Sequence, residues 1–398
     1  MRSILPIPAD SHPYADLMVW NDPAPAASWC HRSGRLWAGP QRREGRSMVE
    51  TTTIGFDIAK QIFQVHGVSA DNKVTVKRQL RRSEVLGFFG KLARCIVGLE
   101  ACGGSHYWAR EISALGHDVR LMPPSYVKPY VKRGKTDAVD AEAICEAVSR
   151  PTMRFVPIKT EECQAAVMVL KTRDLLVRQR TQVINALRGH LTELGIVAAR
   201  GVAKVETLIE IVRDENDSRL PPAGRTALKT LADQIEALTE RVDSLEREIV
   251  AEVRRNATMR RLATIPGVGP ITAATIQALV PDPGVFTSGR HFAAWIGLTP
   301  KMQASGGKER LGKISKMGNP TLRSLLVVGA TAVLRHARRG ATLSIWLTAL
   351  LARRPAKVAA IALANKMARI VWALLTKGGT FIRKNVVAEH AAADANMV

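Results

Sequence analysis

Lys132–Ala143 reads KRGKTDAVDAEA, and the rest of the chain can be read outward from it. Asp137 and Asp140 stand three residues apart among alanines, the best helix formers. That spacing puts both carboxylates on one helical face, where unpaired they repel. A cation or a basic partner resolves the repulsion. Two more acids occupy informative places upstream. Asp57 lies inside TTTIGFDIAK, an apolar run that predicts a strand, and Glu100 closes CIVGLE, a second such run. Four carboxylates from two strands and one helix can meet at one point. Such an oxygen-only set suits Mg²⁺ (or Mn²⁺), which keeps several waters and takes a few carboxylates plus substrate phosphate. The alternative for Asp137 and Asp140 is a solvated acidic face after a basic turn.

At 398 residues the chain has room for two or three domains. Its 46% hydrophobic and 23% charged residues exclude a disordered chain. The net charge of +23 calls for a polyanionic partner, most economically nucleic acid. The excess is uneven: residues 283–388 hold 18 Lys and Arg against one acid, Glu309. A membrane is not expected as a partner, because runs such as Ser324–Leu334 and Ala341–Ala352 are too short to span one. Cys30, Cys95, Cys102, Cys145 and Cys163 form no CxxC or Cys/His cluster, so they are expected to be reduced thiols in a cytosolic protein, with no zinc site.

Residues 1–47 are rich in Pro and scattered Trp, without periodicity and without the pattern of a secretory signal. They are expected to be an extension outside the fold, with Met48 a plausible start. From Thr52 the order becomes legible. Strands are predicted at 52–58, 61–68 and 73–79, a helix at 83–93, a strand at 95–100, a helix at 105–115 and a strand at 117–122. After Pro123-Pro124 come a short helix and the 136–148 helix that carries the aspartates. Three strands followed by alternating helices and strands is an α/β order. It is the order of the RNase H-like fold, whose acids come from the first strand, the end of the fourth and a late helix. Asp57, Glu100, Asp137 and Asp140 hold those places.

Residues 161–255 read as helical. Leu228, Leu231, Ile235, Leu238, Val242, Leu245 and Ile249 alternate spacings of three and four, the seam of a coiled coil. An earlier helix near 161–195 carries Leu170, Val177, Ile184, Leu187, Leu191 and Leu194 in similar phase, interrupted by Arg173 and Arg180. The regular heptads favour a dimerisation arm over an internal hairpin. Next, LATIPGVGPITAATIQAL at 262–279 has the pattern of a helix-hairpin-helix, in which Gly267 and Gly269 would let backbone N–H groups approach a phosphate. An ordinary tight turn is the alternative. In 295–323, Ser305 precedes Gly306-Gly307 and is surrounded by Lys301, Lys308, Arg310, Lys313, Lys316 and Arg323. A serine on flexible backbone among cations can serve as a nucleophile toward a phosphodiester. Ser288 and Ser315 compete for that role. Apolar helices with basic faces are expected over 321–387.

The pieces GFDIAK, GLEACGGSHYW, KTDAVDAEA, IPGVGPITAATI, FAAWIGLTP and SGGKERLGKISKMGNPTLR together resemble the DEDD-type transposases of the insertion-sequence 110 family, its 1111 subgroup included, and the related Piv-type DNA invertases. They run in order from about Thr53 to Ala337. The resemblance implies a RuvC-like α/β domain over 48–157, a helical coiled-coil region over 158–258, a mainly α transposase domain over 259–387 and a tail at 388–398. It implies that Asp57, Glu100, Asp137 and Asp140 bind Mg²⁺, and that Ser305 attacks DNA to form a phosphoserine link. The partners it implies are element ends and target DNA, an element-encoded guide RNA, and further copies of the chain as a dimer or tetramer in the bacterial cytoplasm. Two other functions fit the same residues. One is a RuvC-like nuclease on branched DNA, with water as nucleophile. The other is a non-catalytic nucleic-acid-binding protein, which leaves the ordered acids without a purpose.

Overall fold

In the computed structural model, the residues described are 50–132, 134, 136–199, 201, 203–305, 308–337 and 344–382. The expected extension 1–47 and tail 388–398 lie outside them. The first layer contains strands β1 (Thr53–Asp57), β2 (Ile62–Val68), β3 (Val74–Arg81), β4 (Ile96–Glu100) and β5 (Asp118–Met122). Their order is β3-β2-β1-β4-β5. β1–β2 and β2–β3 are antiparallel, whereas β1–β4 and β4–β5 are parallel. This is the mixed sheet of an RNase H-like domain. Helices α1 (Val85–Phe89), α2 (Ser105–Ala114), α3 (Pro124–Val127) and α4 (Asp137–Val148) complete the layer. Under the sheet, Phe56, Phe63, Phe89 and Trp108 form an aromatic core, with Phe63 and Trp108 edge-to-face at 5.2 Å. The helix expected at 83–93 is shorter than that. A 3-10 turn spans Arg82–Glu84, and α1 stops at Phe89, where Gly87 and Gly90 weaken helix propagation.

Helix α4 lies directly on the backbone of two strands. Gly55 of β1 is paired in register with Gly98 of β4. A Cβ on Gly55 would sit 2.1 Å from the Ala141 carbonyl oxygen, and one on Gly98 would sit 2.7 Å from Val148 Cβ. Two glycines side by side therefore open a trough in the sheet for this helix alone. Ala143, Ile144 and Ala147 of the same helix are buried with Met122 of β5 and Val127 of α3.

Three helices follow: α5 (Glu161–Glu193), α6 (Ala203–Arg213) and α7 (Pro222–Arg255). α5 and α7 pack antiparallel, since Arg173 reaches Glu246 and Arg180 reaches Thr239. The arginines that interrupt the α5 seam thus find their partners on α7. The α7 seam does not wait for another subunit. Leu228, Ile235, Leu238, Val242 and Ile249 are buried within a single chain. α6, which the sequence reading did not separate, adds Val205, Leu208 and Val212 to that core. The expected dimerisation seam is therefore an internal contact, because α5 and α6 already remove it from water.

The remaining part is built from α8 (Ala257–Ala263), α9 (Pro270–Leu279), α10 (Gly289–Ile296), α11 (Pro320–Ala337), α12 (Ile345–Arg353), α13 (Ala356–Lys377) and one hairpin, β6 (Pro300–Ser305) with β7 (Lys308–Ile314). α13 is long and apolar enough to cross a membrane by length and composition. Here it packs as a core helix: Ala364, Met367, Ala368 and Val371 are buried with Phe292, Leu322 and Leu326. The hairpin replaces part of the flexible stretch expected around Ser305. Its strands are held by backbone pairing from Pro300–Ile314 to Ser305–Lys308.

Candidate active site

The helix that carries the aspartates starts where its sequence says it should. Thr136 has extended backbone, and its hydroxyl accepts from the Val139 N–H at 3.4 Å. Asp137 and Asp140 fall in the first turn, where the positive end of the helix dipole favours carboxylates. Lys132, in the approach to the helix, pairs with Glu142 at 2.5 Å. The Gly55 trough then sets α4 against β1, next to the strand end that carries Asp57.

The consequence is a cluster. Carboxylate oxygens of Asp57, Asp137 and Asp140 lie within 4.8 Å of one another. Glu100 ends β4, directly beyond the last registered β1–β4 pair, Phe56–Leu99, so it flanks Asp57 on the neighbouring strand. The carboxyl of Asp57 is pushed up to about 6. Burial is the largest cause, followed by the charges of Asp140, Asp137 and Glu100. Three of the four acids thus converge, and Glu100 stands outside their 4.8 Å cluster although its charge still reaches Asp57. Hard oxygen donors this close, one of them reluctant to ionise beside the others, fit a divalent cation of the Mg²⁺ type. The four described cysteines are free thiols, and none joins a metal-ligating group among the described residues.

The other candidates separate into two groups. Gly267 has φ +88°, and a Cβ there would lie 2.8 Å from the Gly329 carbonyl oxygen on α11. Its missing side chain makes room for a helix, not for a phosphate. Gly269 caps α9 and faces open space. Arg323 braces the base of the hairpin, donating from Nη1 to the Ile296 and Met317 carbonyls at 2.9 and 3.2 Å. Lys301, Arg310, Lys313 and Lys316 are exposed along the hairpin and just after it, while Lys308 begins β7. Ser305 is the last residue of β6, five residues from the anchored base. Of its competitors, Ser288 accepts from the His291 N–H as the cap of α10, and the Ser315 hydroxyl accepts from the Met317 N–H.

That hairpin base is tightly locked. A Cβ on Gly297 would meet the Met317 carbonyl oxygen at 2.0 Å, and one on Gly318 would meet the Trp295 carbonyl oxygen at 1.7 Å. Both glycines have φ near +81°. The two motifs that bracket Ser305, WIGL and KMGN, are therefore two halves of one joint. No local pattern announces this, because the halves are about twenty residues apart.

Comparison with known proteins gives the family of the chain. Residues 54–196 match the DEDD-type IS110 transposase domain, and residues 259–344 match the domain described as "Transposase IS116/IS110/IS902 family". A Pseudomonas aeruginosa protein named "Probable family 20 transposase" is 50% identical over 326 residues, covering 81% of this chain and 96% of its own. The transposase for insertion sequence element IS1111A of Coxiella burnetii is 40% identical over 341 residues, 85% of this chain and 94% of its own. That for IS1328 of Yersinia enterocolitica is 38% identical over 335 residues, 84% and 99%. The first matched domain is of a divalent-metal-dependent kind, and these proteins act on DNA. By its sheet, its acidic cluster and these relatives, the chain belongs to the IS110 family of insertion-sequence transposases, enzymes that cleave and rejoin DNA.

Proposed function

We propose that the chain moves its own insertion sequence by serine-dependent recombination, with the acidic tetrad holding Mg²⁺ (or Mn²⁺). The convergence of Asp57, Asp137 and Asp140 within 4.8 Å, with Glu100 beside them, carries this reading. A divalent ion held there supplies Lewis-acid polarisation of a phosphate oxygen. The chain does the rest. The Ser305 Oγ attacks the phosphorus, a P–O bond to one strand end breaks, and the departing oxygen takes a proton. The phosphoserine ester conserves the bond energy until a hydroxyl of the new strand attacks the phosphorus and releases Ser305. Arg310, opposite Gln303 on the same hairpin, offsets the charge that develops on the phosphate. Ser305 is preferred for its place at the end of the hairpin within SGGKERLG, whereas the Ser288 and Ser315 hydroxyls accept from backbone N–H groups in a cap and a turn.

The turn ahead of α9 is read as a helix-hairpin-helix that contacts backbone phosphate through Gly269 alone, and α5 with α7 as an intramolecular coiled coil. Domain limits near 157 and 258 follow from the same division. An element-encoded RNA that pairs with donor and target is the proposed guide, drawn to the basic excess of 283–388. Self-association is assigned to the outer face of α5. There Ala165, Met168, Thr172, Leu175, Gln179, Gln182, Ala186 and Gly189 are all exposed, uncharged and spaced alternately by three and four.

The test is chemical. Element-end DNA, flanking RNA and Mg²⁺ should give a covalent protein–DNA adduct, lost in Ser305→Ala and kept in Ser315→Ala. Strand cleavage without any adduct in the wild type would favour water as nucleophile, as in a nuclease.

A further inference from the structure

A groove of about 1160 Å³ runs between the hairpin and helices α12 and α13, and neither the tetrad nor Ser305 uses it. Its walls are apolar, with Leu311 from β7 and Val358 from α13 lying 74% and 48% exposed. Isolated exposed apolar residues are ordinary, but these are gathered around a concave space. At one side stands Trp346, 37% exposed, with the Lys366 ammonium 4.5 Å from its ring centroid. The rim carries Lys313, Lys316 and Arg369, and no residue of the lining is acidic.

An aromatic platform among cations, over an apolar floor, has the chemistry that receives a base together with its phosphates. Duplex DNA presents phosphates but keeps its bases stacked inside, so it leaves Trp346 without a partner. A purely anionic ligand leaves the apolar floor without a purpose. We propose that this groove seats an unpaired nucleotide of the DNA substrate, with its base against Trp346 and its phosphates on Lys313, Lys316 and Arg369. Lys366 sits on a flexible stem. It can give up the ring face to the base while its ammonium stays within reach of the same nucleotide's phosphate. The one polar group on the floor, the Asn365 amide, already donates to the Leu298 carbonyl at 3.2 Å. That leaves one carboxamide oxygen on the floor, too little to tell one base edge from another, and deoxynucleotides of any sequence should enter. Ser305 lies at the far end of the same hairpin, five residues or roughly 17 Å of strand from its base. A strand seated in the groove would therefore run along the hairpin toward that serine.

The proposal rests on the chain being a DNA transposase, not on Ser305 being the nucleophile. Its test is binding of the full chain to labelled oligothymidylate, to duplex element ends, and to oligouridylate. Trp346→Ala should weaken oligothymidylate about tenfold, the loss of one stacked base, while duplex binding stays unchanged. Trp346→Phe should recover most of the affinity. Val358→Glu, at an exposed position, should weaken single-strand binding in the same way without touching the ring. Ser305→Ala should leave all three affinities intact, which keeps this test apart from the test of the nucleophile. Unaltered oligothymidylate binding in both Trp346→Ala and Val358→Glu would overturn the proposal. So would an equal loss on duplex, a Trp346-dependent preference for oligouridylate, or a change of oligomeric mass in place of a change in affinity.

Discussion

Gly55 of β1 and Ala141 of α4 touch backbone to backbone, and no side chain fits between them. This contact brings a helix-borne pair of aspartates to a strand-borne third. Replacing Gly55 with alanine forces a methyl group to within 2.1 Å of a carbonyl oxygen, so α4 must lift from the sheet. The expected cost is about 1–3 kcal/mol of folding stability, read from chemical denaturation. Divalent-metal binding should weaken in the same variant, because Asp137 and Asp140 move away with the helix.

Asp57 itself should be a destabilising residue when no metal is bound. Its carboxyl titrates near 6, not near its ordinary 3.8, so the folded state holds the proton more tightly than the unfolded state. Metal-free stability should therefore fall as pH rises from about 4 through about 6. Asp57→Asn should stabilise the metal-free chain at neutral pH by about 1–2 kcal/mol, allowing for screening of a partly exposed group. Mg²⁺ should raise the melting temperature of the wild type, and the same variant should lose that rise. Thermal scans with and without Mg²⁺ would check both halves.

His106 should make the junction between the sheet layer and α5 sensitive to acid. Its Nδ1 accepts from the Lys159 backbone N–H at 3.2 Å, just before α5 begins. Burial, followed by the charges of Lys159 and Arg110, lowers its pKa to about 4. The unfolded chain then binds the proton more readily, so stability is lost as pH falls from about 6.5 toward 4. Hydrogen exchange around Lys159 should quicken in that window. His106→Gln, which offers a neutral acceptor, should flatten the dependence.

The two long helices give opposite predictions for their two faces. Leu238 is 1% exposed inside the chain. Leu238→Lys should cost roughly 3 kcal/mol or more, and the loss should not vary with protein concentration. Leu175→Glu, on the outer stripe of α5, should leave chain stability nearly unchanged and shift sedimentation toward smaller assemblies. If Leu175→Glu leaves the assembly mass untouched, the outer stripe is not the subunit contact.

The sheet layer was legible because its signals are local. β1, β2 and β4 are apolar runs with clear ends, Asp57 and Glu100 end two of them, and Asp137 and Asp140 open a helix with its own cap. The α7 heptads were equally clear about needing a partner, but periodicity is silent on which helix supplies it. The answer, α5 and α6, depends on chain reversals far from the seam. The hairpin was missed for a different reason. Neither PKMQAS nor KERLGKI buries an apolar face: Met302 and Leu311 are 64% and 74% exposed. Those strands form through backbone pairing and a locked base, neither of which leaves an apolar period in the sequence. Gly267 misled because the helix it accommodates, at Gly329, is more than sixty residues away.

Because Ser305 ends a strand whose base is fixed by Gly297 and Gly318, hairpin length acts as a gauge. Adding two residues to each strand would carry the serine outward by roughly 7 Å and keep it on the same face. Adding one to each would turn it to the opposite face. Relatives could therefore change how far the serine reaches only in paired steps, while the joint beneath it stays as it is.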